Sequence, residues 1–280
     1  MLKVFLSFPL FVLVMMISAL AMFVPGIYAA SIGEITEMRA FGYNALLLGT
    51  LAGILGLAMM NRQPRITARS HLMTLLLIYL LMPAFLALPV LDAVPFLGNF
   101  QAYFEMSTAL TTTGTFFGGG YHIGLAHSVV LWQAIVAWLG GLLTLVAALA
   151  ILEPLSLGGF EIRTLVLGAR SGSRMGQSST EASERLVRVL LAVSPPYFLA
   201  TFILAMLLTF AGSPAYYAAV HAMSVLSTSG FYVEGSGSTS MNFAGEVFIA
   251  FFLLIALSHQ GLYFFRKPGS VLSLKDDPEI

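Results

Sequence analysis

The chain contains no cysteine, which excludes disulfides and thiolate-bound metals outright. Charge is also scarce. Charged residues fill 9% of the 280 positions, against roughly 25% in a soluble domain. The five histidines, His71, His122, His127, His221 and His259, share no metal-ligand spacing, which argues against zinc. No nucleotide loop, metalloprotease helix or nucleophile elbow occurs, and Gly158-Gly159 lacks the spacing of a phosphate cradle. The chain therefore reads as a non-enzyme, without a bound cofactor and without a nucleic-acid partner.

What remains is apolar. Hydrophobic residues make up 58% of the chain, more surface than a water-soluble fold can cover. Six long apolar segments stand out, at 4–28, 40–60, 72–91, 127–152, 188–211 and 243–265, each near the length of about 20 residues that spans a bilayer. Two shorter ones, 99–110 and 214–226, are too brief to cross and read as re-entrant helices. The expected fold is an all-α membrane protein of about six transmembrane helices plus two re-entrant pore helices with filter loops. Lys3, the run from Val4 to Phe23 and Ala29-Ala30 also fit a signal peptide. The run exceeds the usual signal core of about 7–15 residues, which favours a retained first span.

Basic residues orient the segments. With the N-terminus in the cytoplasm, twelve of the thirteen lysines and arginines fall inside and only Arg39 falls outside, as the positive-inside rule demands. Both short helices then enter from the outer face, and both termini are cytoplasmic. Glu34, Glu37, Asp92, Glu105, Glu234 and Glu246 lie on or near that outer side. They read as a mildly negative mouth or, for Glu34, Glu37 and Asp92, as ordinary solvated loop acids. Glu105 differs, because an unpaired charge inside a pore helix is costly. It calls for a polar partner or a wet cavity. Between Glu153 and Arg188 lies the one sizeable polar loop, glycine- and serine-rich from Ser171 to Thr180. Thr180 is the expected N-cap of the helix that follows, with Glu181 and Glu184 near its positive end.

Each short helix ends in a related polar sequence, Leu110-Thr111-Thr112-Thr113-Gly114 and Leu226-Ser227-Thr228-Ser229-Gly230, with the glycines 116 residues apart. A cation crossing a membrane must lose its water, at a cost on the order of tens of kcal/mol in an apolar medium. Rings of backbone carbonyls can offset that cost without binding the ion too tightly for flux. Aiming carbonyls inward needs unusual dihedrals, which Gly114 and Gly230 tolerate, while the flanking hydroxyls can bond backbone or add oxygens. Gly118-Gly119-Gly120 reads as a flexible outer turn, and Phe116 and Phe231 as core packing. His221 reads as a hydrogen-bonded structural residue or a pH-sensitive modulator. Trp132 suits an interfacial anchor.

These residues carry a resemblance. Tyr103-Phe104-Glu105-Met106 through Gly114, then Leu131-Trp132 and Trp138-Leu139-Gly140-Gly141, resemble the first pore repeat of TrkH-type potassium-transporting subunits of the Trk/Ktr/HKT superfamily. His221-Ala222-Met223-Ser224 through Phe231 resembles the second repeat, and Arg266 to Glu279 the link to a third. The resemblance implies backbone-carbonyl coordination of K+, the transported ion, along Thr111, Thr112, Thr113, Gly114 and Thr115, and along Ser227, Thr228, Ser229, Gly230 and Phe231. It implies a multi-pass protein of the bacterial inner membrane, in contact with lipid and with a cytosolic nucleotide-binding regulatory subunit. The expected divisions are N-terminal helices (1–70), first pore repeat (71–160), cytoplasmic linker (161–187), second pore repeat (188–268) and a tail (269–280). The family has four repeats around one pathway, and this chain has two. A missing C-terminal half or a second copy would complete the pore, with a fragment or split subunit favoured over a self-sufficient homodimer. The alternative is a non-conducting half that stabilises another subunit.

The absence of native cysteine makes orientation directly measurable. A single cysteine placed at Arg65 or Arg174 should react with a membrane-impermeant maleimide only after the cells are opened. Labelling of either site in intact cells would reverse the assignment.

Overall fold

The computed structural model describes residues 10–59, 68–114, 125–152, 179–231 and 243–257. Every regular element among them is helical. In chain order these are α1 (Leu10–Ala21), α2 (Phe23–Ile32), α3 (Ile35–Met59), α4 (Ala68–Ala93), α5 (Asn99–Leu110), α6 (His127–Ala147), α7 (Ser179–Phe210), α8 (Ala215–Leu226) and α9 (Phe243–Leu257). A π turn, Ala148–Leu152, ends α6. Thr115, Phe116, Gly118-Gly119-Gly120, His122, Glu234, His259, the loop centre at 171–178 and the segment 266–279 lie outside the described residues.

Among the described residues, five stretches are long and apolar enough to cross a bilayer: Leu10–Ile32, Ile35–Met59, Met73–Ala93, His127–Ala150 and Leu186–Phe210. The sixth expected span begins as α9, and the rest of its range lies outside the described residues. Both re-entrant segments are helices of 12 residues, about 18 Å long, well short of the roughly 30 Å hydrocarbon core.

Two boundaries differ from expectation. The first span reaches Ile32 and is interrupted at Met22, because Pro25 has no N–H to give to the carbonyl four residues back. The helix after the loop starts at Ser179, so Thr180 falls inside its first turn rather than capping it.

Packing centres on α6. Its membrane window is 72% buried, against 17% for that of α7, so α6 is the interior strut and α7 presents a broad apolar face outward. Two clusters of buried side chains meet on α6. One gathers residues of α1, α3, α4 and α5, and the other residues of α7 and α8. The π turn contributes Leu149 and Ala150 to the second cluster.

Trp132 corrects an expectation. It is fully buried, edge-on to Phe41 with centroids 6.0 Å apart, and its indole N–H donates to the Leu86 carbonyl at 3.0 Å. It is a core residue rather than an interfacial anchor. It lies against α4, which carries Pro83 and Pro89. A proline lacks the N–H owed to the carbonyl four residues back, here Tyr79 and Phe85, and loosens the turn before it. Tyr103 Oη donates to the Leu80 carbonyl at 2.9 Å, so each proline has a side-chain donor bonded three residues upstream of it.

Trp132→Phe should keep the ring packing and strip the Leu86 carbonyl of this donor. The expected loss is about 1–3 kcal/mol, read as a lower midpoint of thermal unfolding in detergent. An unchanged midpoint would show that the bond contributes nothing.

Candidate ion-pathway site

The two re-entrant helices end in the same backbone motif. In α5, Thr112 N–H donates to the Ala109 carbonyl (3.0 Å) and Thr113 N–H to the Thr108 carbonyl (2.9 Å). In α8, Thr228 N–H donates to the Val225 carbonyl (3.1 Å) and Ser229 N–H to the Ser224 carbonyl (3.0 Å). Each bond in one repeat has its counterpart 116 residues later. This pair of bonds is the Schellman arrangement, which closes a helix with a left-handed residue, ordinarily glycine.

Here that residue is threonine. Thr112 has φ 55° and Thr228 φ 52°, and two residues on Gly114 and Gly230 both have φ 66°. Sequence reasoning assigned the unusual dihedrals to the glycines and missed the threonines. Left-handed backbone is an outlier for a β-branched side chain and costs about 1–3 kcal/mol per residue. It persists where the surroundings hold it.

Hydroxyls supply part of that hold. Thr111 Oγ1 donates to the Ser107 carbonyl (2.8 Å) and lies 2.9 Å from Thr113 Oγ1. Ser227 Oγ donates to the Met223 carbonyl (2.9 Å) and lies 3.1 Å from Ser229 Oγ. The hydroxyls at these four positions are thus committed to helix carbonyls and to one another. Both helices also aim their C-terminal, partly negative ends at the polar strands, with no basic residue in the last turn. A cation is favoured there.

The strands converge. A Cβ on Gly114 would lie 1.7 Å from the Ser229 carbonyl oxygen, so the second strand rests directly on the first. Burial is unequal between the repeats. Ser227 and Ser229 are buried while Thr111 and Thr113 are exposed. A Cβ on Gly230 would meet nothing within 4 Å among the described residues. Phe231 is buried in the core, as expected of it.

The middle of α6 fixes both strands from behind. A Cβ on Gly140 would lie 2.1 Å from the Leu110 carbonyl oxygen, at the end of the first pore helix. On Gly141 it would lie 2.9 Å from Ser227 Cα, at the start of the second strand. Tyr197 of α7 closes this contact, its hydroxyl donating to the Trp138 carbonyl at 3.1 Å while its ring stacks on Trp138. Sequence reasoning used Gly140-Gly141 only as part of a resemblance. The signal available was a glycine pair in an apolar span, which marks close backbone approach.

The acids are mostly structural. The Glu34 carboxylate accepts from the backbone N–H of His127 (3.0 Å) and of Ser128 (3.2 Å), and from the Ser128 hydroxyl. It caps α6 from 93 residues away. Asp92 accepts from Asn44 Nδ2 at 2.7 Å. Glu34 is thus not a freely solvated loop acid, while Asp92 is exposed and tied to Asn44. At the same end, Tyr216 of α8 donates to the His127 carbonyl (2.8 Å) and stacks on Tyr28. Glu105 has the polar partner its burial required, accepting from Gln133 Nε2 of α6 at 2.8 Å. His221, its counterpart 116 residues on, is likewise buried.

No protein-family model matches the chain. Over 250 residues it is 28% identical to the Trk system potassium uptake protein TrkH of Salmonella typhimurium, covering 86% of this chain and 49% of that protein. Over 267 residues it is 27% identical to TrkH of Escherichia coli K12, covering 92% and 53%. The chain is a homologue of TrkH. Its fold agrees as well: the crystal structure of the potassium transporter TrkH from Vibrio parahaemolyticus superposes with a TM-score of 0.68 at 21% identity, over 90% of this chain and 49% of that one. The chain spans about half the length of the TrkH relatives it matches.

Alanine at Gly140 or Gly141 would drive a methyl into backbone that cannot move aside, and overpacking of this kind costs about 1–3 kcal/mol. Both variants should unfold at lower temperature in detergent. Gly53→Ala, where no described residue lies within 4 Å of an added Cβ, should match or exceed the parent. Equal midpoints for all three would refute the close-approach reading.

Proposed function

We propose that this chain contributes two filter segments, Thr111 to Thr115 and Ser227 to Phe231, to a transmembrane potassium pathway lined by backbone carbonyls. The single observation that carries this reading is the repeated left-handed Thr-x-Gly backbone behind a helix C-terminus. Strain of this kind is held where a function needs it, and carbonyls freed from helical pairing are what a dehydrated cation requires. The named activity of the TrkH relatives, potassium uptake, points the same way.

The filters enter from the outer face, both termini are cytoplasmic, and ions move passively down their electrochemical gradient across a bacterial inner membrane. The chain divides into N-terminal helices, a first pore repeat, a cytoplasmic linker, a second pore repeat and a tail. Two segments cannot ring an ion. Among the described residues, Gly114 is covered by the next strand, whereas nothing lies within 4 Å of a Cβ on Gly230 and Thr111 and Thr113 are exposed. That asymmetry supports further filter segments, from a C-terminal half or a second copy, closing the circle. A cytosolic nucleotide-binding subunit regulates the assembly.

Rubidium influx in cells lacking potassium uptake tests the proposal. Influx is expected when the chain is expressed with a chain carrying two further repeats, and not when it is expressed alone. Gly114→Ala should abolish influx or lower rubidium-over-sodium preference about tenfold or more, since it adds a clash at a left-handed residue. A conducting assembly whose preference is untouched by this change would contradict the filter assignment. Absence of influx in every combination, with insertion verified, would favour a non-conducting half.

A further inference from the structure

One buried polar atom has no partner. Gln133 Oε1, on a side chain 1% exposed, accepts no hydrogen bond among the described residues. Its own Nε2 donates to Glu105 Oε2 at 2.8 Å, and Glu105 is 7% exposed. An ionised carboxylate only accepts hydrogen bonds, whereas a carboxylic acid carries one O–H donor. Exchanging the amide oxygen and nitrogen of Gln133 does not remove the difficulty. It would set an oxygen 2.8 Å from Glu105 Oε2, a contact that again needs a proton between them. The exchanged assignment therefore requires a proton on Glu105, and the assignment as built leaves Gln133 Oε1 in want of a donor, which an ionised Glu105 cannot be; an isolated charge at this depth is also costly.

The pair also sits where it can act on the filter. Glu105 lies one helical turn before Thr108, whose hydroxyl donates to the Glu105 carbonyl at 2.9 Å. The Thr108 carbonyl in turn receives the N–H groups of Thr113 (2.9 Å) and Gly114 (3.4 Å). Further along, Leu110 rests against Gly140. The pore helix is thus held to α6 by a polar contact, Glu105 with Gln133, and by a close backbone approach, Leu110 against Gly140.

We propose that Glu105 is held as a neutral carboxylic acid paired with Gln133, and that this acid–amide pair is a positioning device for the first filter strand. It acts through geometry and not through charge. The second repeat has His221 at the corresponding place, so the device belongs to one strand only. The selectivity consequence rests on the potassium-pathway reading; the protonation state does not.

Three measurements on the 280-residue chain test this. Infrared difference spectra of parent against Glu105→Gln, in detergent at neutral pH, should show a protonated-carboxyl band present in the parent and lost in the variant. A carboxylate band lost in its place would overturn the proposal. Glu105→Gln, which can both donate and accept, should keep the parental unfolding midpoint, while Glu105→Ala and Gln133→Ala lower it. A Glu105→Gln midpoint as low as that of Glu105→Ala would also count against the pair. In a conducting assembly, Glu105→Gln should retain rubidium-over-sodium preference and Glu105→Ala lose about tenfold of it, the factor one buried hydrogen bond is worth. Loss in Glu105→Gln with retention in Glu105→Asp would mean that charge is required, and would overturn it. Failure of the parent itself to carry rubidium would count against the potassium pathway and leave the infrared result to decide the protonation.

Discussion

Everything at the centre of this molecule depends on how closely one helix lets two others approach. The glycine pair of α6 touches the end of the first pore helix on one side and the start of the second strand on the other. Without side chains at those two positions, α6 can serve as a shared back wall for both strands. In a lipid environment this matters more than in water, because helices there gain no hydrophobic advantage by associating. Close van der Waals packing and buried hydrogen bonds must hold them together instead.

The polar residues of the membrane region follow the same logic. Several of them bond backbone groups of a neighbouring helix. Trp132 and Tyr103 serve carbonyls in the proline-bearing helix, and Glu34 serves the first N–H groups of α6. Tyr197 serves the carbonyl just before the glycine contact. Together they fix α6 in height and rotation, and that placement lets a strained backbone exist at Thr112 and Thr228. The two repeats differ in what covers them. The strand of the second is roofed by the first and by α6, and the strand of the first lies open on one flank.

Much of this was legible in the sequence because bilayer thickness is a hard ruler. The two 12-residue helices could be placed at 99–110 and 214–226 from length alone, within a residue of where they lie. The 116-residue repeat is equally a property of the chain written out, and it proved accurate down to individual hydrogen bonds. Glu105 could be singled out because a buried acid must have a partner. Its partner could not be named, since Gln133 is 28 residues away on another helix and nothing local marks it. Trp132 was misplaced for a related reason. A tryptophan near a span end suits an interface on average, and only the packing of α3 and α4 around this one places it in the interior.

The sequence by itself determined the membrane class, the two short helices, the twofold internal repeat and the residues of the polar strands, since hydropathy and backbone stereochemistry act over a few residues. Tertiary structure alone decided which residues enforce the strand geometry. Glycine contacts in α6, threonines in left-handed backbone and a carboxylate capping a helix 93 residues away all depend on segments meeting in space. Hydrogen bonds and close packing fall off within a few ångströms, so their partners are set by the fold and not by neighbourhood along the chain.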